Sequence, residues 1–268
     1  MLHVESRNKG QPGGRPPILL IHGAWHASWC WQNMLAFLAD QGLEVHALDL
    51  RGHGASPATG SMRTNRIRHY VDDVADTVDR LGEAPILIGH SMGGFVVQKY
   101  LERRTAAGAV LYCSAPHRGV LGATLSVARH HPWKFLKTNL SLSLYPLVED
   151  RRIARDLFLA PDTPMADALP WMDRLQDESY LAFLDMLALD LPRRPTSLPP
   201  MLVVAAEKDA IFSPASEQTL ARHLGADYAE IAGAPHDLML AEQWQQSAIV
   251  IKRWIDTAFG EGSPSGEA

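Results

Sequence analysis

A mostly parallel α/β sheet covered by helices on both faces is the fold class that this sequence predicts, on three observations. Short apolar runs of strand length, such as Ile18 to Ile21 and Pro85 to Ile88, recur along the chain. They alternate with stretches of helical periodicity, the order that a parallel sheet with crossover helices requires. The length of 268 residues, 46% of them hydrophobic and 21% charged, is enough for one full core with an insertion.

Leu2 to Ser6 alternates like a strand, and the Gly- and Pro-rich stretch Gly10 to Pro17 turns the chain into the buried run Ile18 to Ile21. A helix is expected from Ser28 to about Asp40, stopped by Gly42, then a strand from Val45 to Leu48 and a loop from Asp49 to Gly60. Ile67, Val71, Val74, Val78 and Leu81 recur at three- and four-residue steps, an amphipathic helix that ends at Gly82. A strand over Pro85 to Ile88, a helix over Phe95 to Arg104 and a strand over Ala109 to Tyr112 follow.

From about His117 to Pro195 the alternation stops, and helical patches with Trp133, Phe135, Trp171, Tyr180 and Phe183 predict a helical insertion. The rhythm resumes with strand Met201 to Ala205, helix Pro214 to Leu224, strand Tyr228 to Ile231 and helix Trp244 to Phe259. The expected organisation is therefore a core of residues 1–116 and 196–260, an insertion of 117–195 and a tail, 261–268, whose composition predicts disorder.

The net charge is −5, and the 25 Lys and Arg residues are scattered, so nucleic acid is not an expected partner. No apolar run approaches the ~20 residues of a membrane span, and MLHVESRNKGQPGG lacks the apolar core of a secretory signal. A cytoplasmic location is the expectation. Cys30 and Cys113 have apolar neighbours and are expected as buried thiols.

Gly89-His90-Ser91-Met92-Gly93 matches G-x-S-x-G directly after a buried strand and before a helix. That turn lifts a serine hydroxyl off the sheet edge and aims the first N–H groups of the helix, Met92 among them, at a developing oxyanion. A serine is nucleophilic at neutral pH only when a base takes its proton. His236, in Gly233-Ala234-Pro235-His236-Asp237 just past the last strand, lies at the same sheet edge. Asp209, in the Glu207-Lys208-Asp209 loop after another strand, completes the chain order Ser, Asp, His as the acid that orients the base. Asp237 is expected as a surface or turn carboxylate, His22 and His90 as packing groups, and His130-His131 as a surface pair. No metal-ligand spacing accompanies those histidines.

These motifs, with His22-Gly23 after the first buried strand and Asp49-Leu50-Arg51-Gly52-His53-Gly54-Ala55-Ser56, together resemble the α/β-hydrolase superfamily from about Ile18 to Phe259. The resemblance implies a sheet of seven or eight strands and a cap domain, here residues 117–195. It also implies a second oxyanion donor in the Ala24 N–H. The segment His22 to Trp31 resembles the plant methylesterase and hydroxynitrile lyase branch. Lyases of that branch carry Thr where Gly23 stands and Lys directly after the catalytic His, where this chain has Asp237, so the esterase side is favoured.

The expected chemistry is acyl transfer on Ser91, with His236 as base, Asp209 as orienting acid and the Ala24 and Met92 N–H groups as oxyanion hole. Trp25 and His26 are candidate walls of a substrate pocket. A small to medium, neutral or hydrophobic carboxylic ester or lactone is the expected substrate, with no metal or organic cofactor, in a monomer or homodimer. The alternatives are a cofactor-free dioxygenase or lyase on the same scaffold, or a ligand receptor that keeps the triad.

Overall fold

The computed structural model describes residues 1–10 and 14–260, so the expected tail disorder and part of the Gly10 to Pro17 turn lie outside the described residues. Seven strands form one sheet: β1 Val4–Arg7, β2 Ile18–Ile21, β3 Val45–Leu48, β4 Ile86–His90, β5 Gly108–Tyr112, β6 Met201–Ala206 and β7 Asp227–Ile231. Their order is β1-β3-β2-β4-β5-β6-β7, with β1 antiparallel to β3 and every other pair parallel. The chain moves from β2 outward to β3, then crosses back to β4 on the other side of β2. That reversal opens a crevice at the C-terminal ends of β2 and β4, where open α/β sheets bind their ligands.

Strands β2 and β4 are buried on both faces because helices cover each side. One core packs α1 (Gln32–Asp40) and α10 (Trp244–Phe259) against the sheet through Trp31, Leu35, Leu38 and Ile251. The opposite core packs α2 (Ile67–Leu81), α3 (Met92–Leu101) and α9 (Pro214–Leu224) through Tyr70, Val74, Phe95, Val97 and Leu220. The helix expected from Ser28 begins instead as a short 3-10 turn, Ser28–Trp31, before α1.

The larger departure is at the turn after β4. The strand runs on through His90 and α3 starts at Met92, not at Phe95. Gly93 and Gly94 suggest a helix breaker by propensity, yet they stand in the first turn of α3 because neighbouring atoms, the Ser114 side chain at Gly94 among them, come too close for a side chain. A Cβ on Gly93 would collide with the carbonyl oxygens of Ile21 and His22.

Between β5 and β6 the described residues form helices and no strand: α4 (Leu121–His130), α5 (Pro132–Ser141), α6 (Arg151–Phe158), α7 (Met165–Met172) and α8 (Tyr180–Leu184), with a π-turn over Asp185–Leu189. Trp171 of α7 stacks on Trp29 at 6.1 Å between ring centroids, and the Arg174 guanidinium lies 4.7 Å from the Trp29 ring. Buried polar bonds add direction to that packing. Glu178 accepts from the Tyr70 hydroxyl at 2.7 Å and pairs with His53 at 3.1 Å, and Arg66 pairs with Asp185.

Candidate active site

Ser91 links β4 to α3 at φ 52°, ψ −116°, a left-handed conformation that costs a residue with a Cβ about 1–3 kcal/mol. Surrounding hydrogen bonds hold it there. The Ser91 N–H donates to Tyr112 O at 3.1 Å, and its carbonyl accepts from Gly94, Phe95 and Ala115 N–H at 3.0 to 3.2 Å. Gly23 makes a second close approach: a Cβ there would stand 2.7 Å from His90 Nδ1 and 2.9 Å from Ser91 Cβ. Threonine at position 23 would therefore displace the serine turn.

The loop after β6 carries Asp209, whose Oδ1 accepts from the N–H groups of Ile211 and Phe212 at 2.7 and 2.8 Å. With that oxygen committed to its own turn, Oδ2 accepts from His236 Nδ1 at 2.7 Å. Both side chains are 1% exposed. Burial alone would push the His236 imidazole down, but the Asp209 carboxylate outweighs it through charge and hydrogen bond. With Asp237 adding to the field, the His236 pKa rises above the ordinary 6.5. Nδ1 therefore keeps its proton, and Nε2 is the nitrogen left to act as base. The Ser91 hydroxyl has no hydrogen-bond partner among the described residues, so the serine–imidazole bond is not formed in this conformation.

Ser91, Ala24, Met92 and Trp25 line one cavity of about 330 Å³. Met92 opens α3, so its N–H has no acceptor within the helix. Ala24 faces the same space from the loop after β2. Other walls come from the segment between β5 and β6, including Phe135, Leu144, Phe158 and Phe183, and from Ile211 and Phe212 beside Asp209. The ionisable lining residues are His130, His131 and Asp156, and Asp156 is paired with Arg155 at 2.7 Å. His130 and His131, expected as a surface pair, thus border the cavity.

His26 does not fill the role expected of it. It is 1% exposed and absent from the cavity lining, because both ring nitrogens are taken: Nδ1 faces Ala24 O at 2.7 Å and Nε2 faces Asp237 Oδ2 at 2.9 Å. Nor is Asp237 a surface carboxylate; it is fully buried. The Ala24 carbonyl can only accept, so Nδ1 carries its hydrogen toward that loop and Nε2 is turned to the Asp237 carboxylate. This pair clamps the Ala24 loop to the His236 loop and was missed in the sequence, where the two residues stand 211 positions apart.

His22 and His90 are tied up in hydrogen bonds of the fold. His22 donates from Nδ1 to Gly23 O and accepts the Leu50 N–H at Nε2, and burial pushes its pKa down to about 3, so it stays neutral. His90 Nε2 donates to His236 O at 3.2 Å, bracing the His236 loop from behind. His90, His236 and Asp237 are the group among the described residues whose donor atoms could converge on a metal. Each is also held by another bond, His90 to His236 O, His236 to Asp209 and Asp237 to His26, so the three belong to one hydrogen-bonded network. Cys30 and Cys113 are free and buried, and burial raises both thiols.

Residues 18–248 match the model of the alpha/beta hydrolase family. A probable esterase, PIR7A, of Oryza sativa is 32% identical over 121 residues, covering 43% of this chain and 45% of that protein. Methyl jasmonate esterase 1 of Vitis vinifera is 38% identical over 88 residues, 32% of this chain and 33% of its own length. The chain thus spans less than half the length of these curated relatives. A solved structure, the putative non-heme bromoperoxidase of Mycobacterium tuberculosis, superposes with a TM-score of 0.77 over 96% of both chains at 19% identity, a likeness of fold alone. With that family match across most of its length, on a seven-stranded sheet of this order, the chain belongs to the alpha/beta hydrolase family.

Proposed function

We propose that this chain is a serine hydrolase that cleaves neutral, apolar carboxylic esters or lactones through an acyl-enzyme on Ser91. The observation that carries the reading is the buried Asp209–His236 bond at 2.7 Å, packed against Phe158 and Phe212, which line the same cavity as a strained serine whose hydroxyl is uncommitted. His236 Nε2 takes the Ser91 proton as Oγ attacks the carbonyl carbon, and the N–H groups of Ala24 and Met92 receive the oxyanion. The imidazolium then returns its proton to the leaving alkoxide. Water, activated by the same nitrogen, releases the acid and restores Ser91. Asp237 where a lyase ammonium would stand, and a Gly23 with no room for Thr, support hydrolysis over cyanide chemistry. Labelling of Ser91 by a fluorophosphonate, blocked by prior denaturation, is the direct test. An unlabelled native chain would overturn the assignment.

The pH profile carries a sign. The base must be free, so kcat/KM for p-nitrophenyl butyrate rises with pH through the raised pKa of His236, above 6.5. Stability from the same group runs the other way: it is fully present below the unfolded pKa and is lost as pH rises through the folded one. A pH titration of rate and Tm on one sample is expected to show the two moving in opposite directions.

The cavity walls from the β5–β6 segment are proposed to set substrate size. Phe135 and Phe183 line the cavity without belonging to the catalytic groups. Phe183→Ala is expected to change the ratio of kcat/KM between short and long acyl esters by about 1–3 kcal/mol, roughly 5- to 150-fold. Unchanged ratios in folded Phe135→Ala and Phe183→Ala variants would remove this role.

A further inference from the structure

We propose that the outer face of the α4–α5 hairpin docks on an anionic lipid surface, from which the cavity beneath it draws its substrate. The substrate half rests on the ester-hydrolase reading; the docking half does not.

Sequence periodicity suggests that the bulky residues of this segment pack inward, and for part of it they do not. Ten large apolar residues are exposed among the described residues, and six of them, Leu121, Leu125, Trp133, Leu136, Leu140 and Leu142, fall within 22 consecutive positions. On α5, Trp133 is 80% and Leu140 78% exposed, with Leu136 between them at a helical step. They form a stripe on the side away from Phe135 and Thr138, which face the cavity. Leu121 and Leu125 form the matching stripe on α4, away from Ala123 and Val127. The hairpin is therefore one helix thick and apolar on both faces. An exterior patch of this kind marks a contact surface.

Charge decides what the contact is. From residue 118 to 148 there is no Asp or Glu, whereas Arg118, Arg129, Lys134 and Lys137 all lie there, in a chain whose net charge is −5. Lys134 and Lys137 share Glu149; Arg118 and Arg129 have no carboxylate partner among the described residues. A two-fold contact with a second copy would set these cations against their own images. Exposed Trp and Leu edged by Lys and Arg match instead the physics of a helix lying in an anionic headgroup layer. There each cation near the surface strengthens binding by about fivefold. The cavity just beneath has no unpaired carboxylate, as an entry for lipid-dissolved esters requires.

The test uses the full chain and sedimentation with vesicles of phosphatidylcholine, with and without phosphatidylglycerol. The wild type is expected to bind the anionic vesicles with salt-sensitive affinity and the neutral ones weakly. The exposed pair Trp133→Ser/Leu140→Ser is expected to weaken binding by about tenfold or more, and Arg129→Glu by at least about fivefold. Hydrolysis of soluble p-nitrophenyl acetate should stay unchanged in these variants, since none touches the catalytic groups. Absence of vesicle binding, or equal binding by the double variant, overturns the docking. So does a concentration-dependent dimer in light scattering that the double variant abolishes, because a second copy then covers the face. Vesicle binding by a chain that hydrolyses no ester would leave the docking standing and remove the ester-hydrolase reading alone.

Discussion

Replacing Ser91 with Ala is expected to lower kcat/KM for p-nitrophenyl butyrate by about 10³-fold or more, with no loss of thermal stability. The two halves have separate physical grounds. Activity falls because Oγ is the only atom proposed to form the acyl bond, and the neighbouring His236 cannot replace it while its Nδ1 is held at 2.7 Å by Asp209. Residual turnover reflects water attack assisted by the oxyanion donors. Stability is retained because the hydroxyl makes no hydrogen bond, while the strained φ of 52° is imposed on Ala as on Ser by the backbone bonds around it. Enzyme assay and a melting curve on the same preparation check both. A variant that keeps wild-type activity would remove Ser91 from the mechanism, and one that loses activity only because it melts would leave its role unproven.

The sheet was legible because burial on both faces leaves a local mark. Ile18 to Ile21 and Met201 to Ala205 are continuous apolar runs, and glycine or proline punctuates the segments around them. The start of α3 was not legible, since local propensity counts Gly93 and Gly94 against a helix while the atoms that crowd them, the carbonyls of Ile21 and His22 at Gly93 and the Ser114 side chain at Gly94, lie far along the chain. The outward apolar stripe of α5 was hidden for a related reason. Helical spacing shows that Trp133, Leu136 and Leu140 share a side but not which side faces the core. The His26–Asp237 clamp left one usable signal. Asp237 precedes Leu238, Met239 and Leu240, and a carboxylate joined to an apolar run is a buried carboxylate that needs a partner.

Asp209 and Asp237 act on His236 directly and Glu207 holds the Gly233 N–H of its loop, and the three carboxylates are expected to separate sharply when each is made an amide. Asp209→Asn should lower kcat/KM by about 10³ to 10⁴-fold. The amide oxygen would stay with the Ile211 and Phe212 N–H groups, which need an acceptor, and that choice turns the NH₂ toward His236 Nδ1. Nδ1 must then accept, the ring proton moves to Nε2, and that nitrogen can no longer take a proton from Ser91. Asp237→Asn has a different consequence. A neutral His26 can donate from Nδ1 to Ala24 O and accept at Nε2 from the new amide, so every bond of the clamp survives. What is lost is the Asp237 charge that helps raise His236, so its pKa should fall and the rise of activity with pH should move toward acid. A loss under about tenfold is expected at neutral pH. Glu207→Gln keeps an oxygen for the Gly233 N–H and should change the rate least. Full pH–rate profiles of the three variants check the ordering: a crippled Asp237→Asn beside an active Asp209→Asn would transfer the orienting role to Asp237, through a rearrangement in which His236 breaks from Asp209.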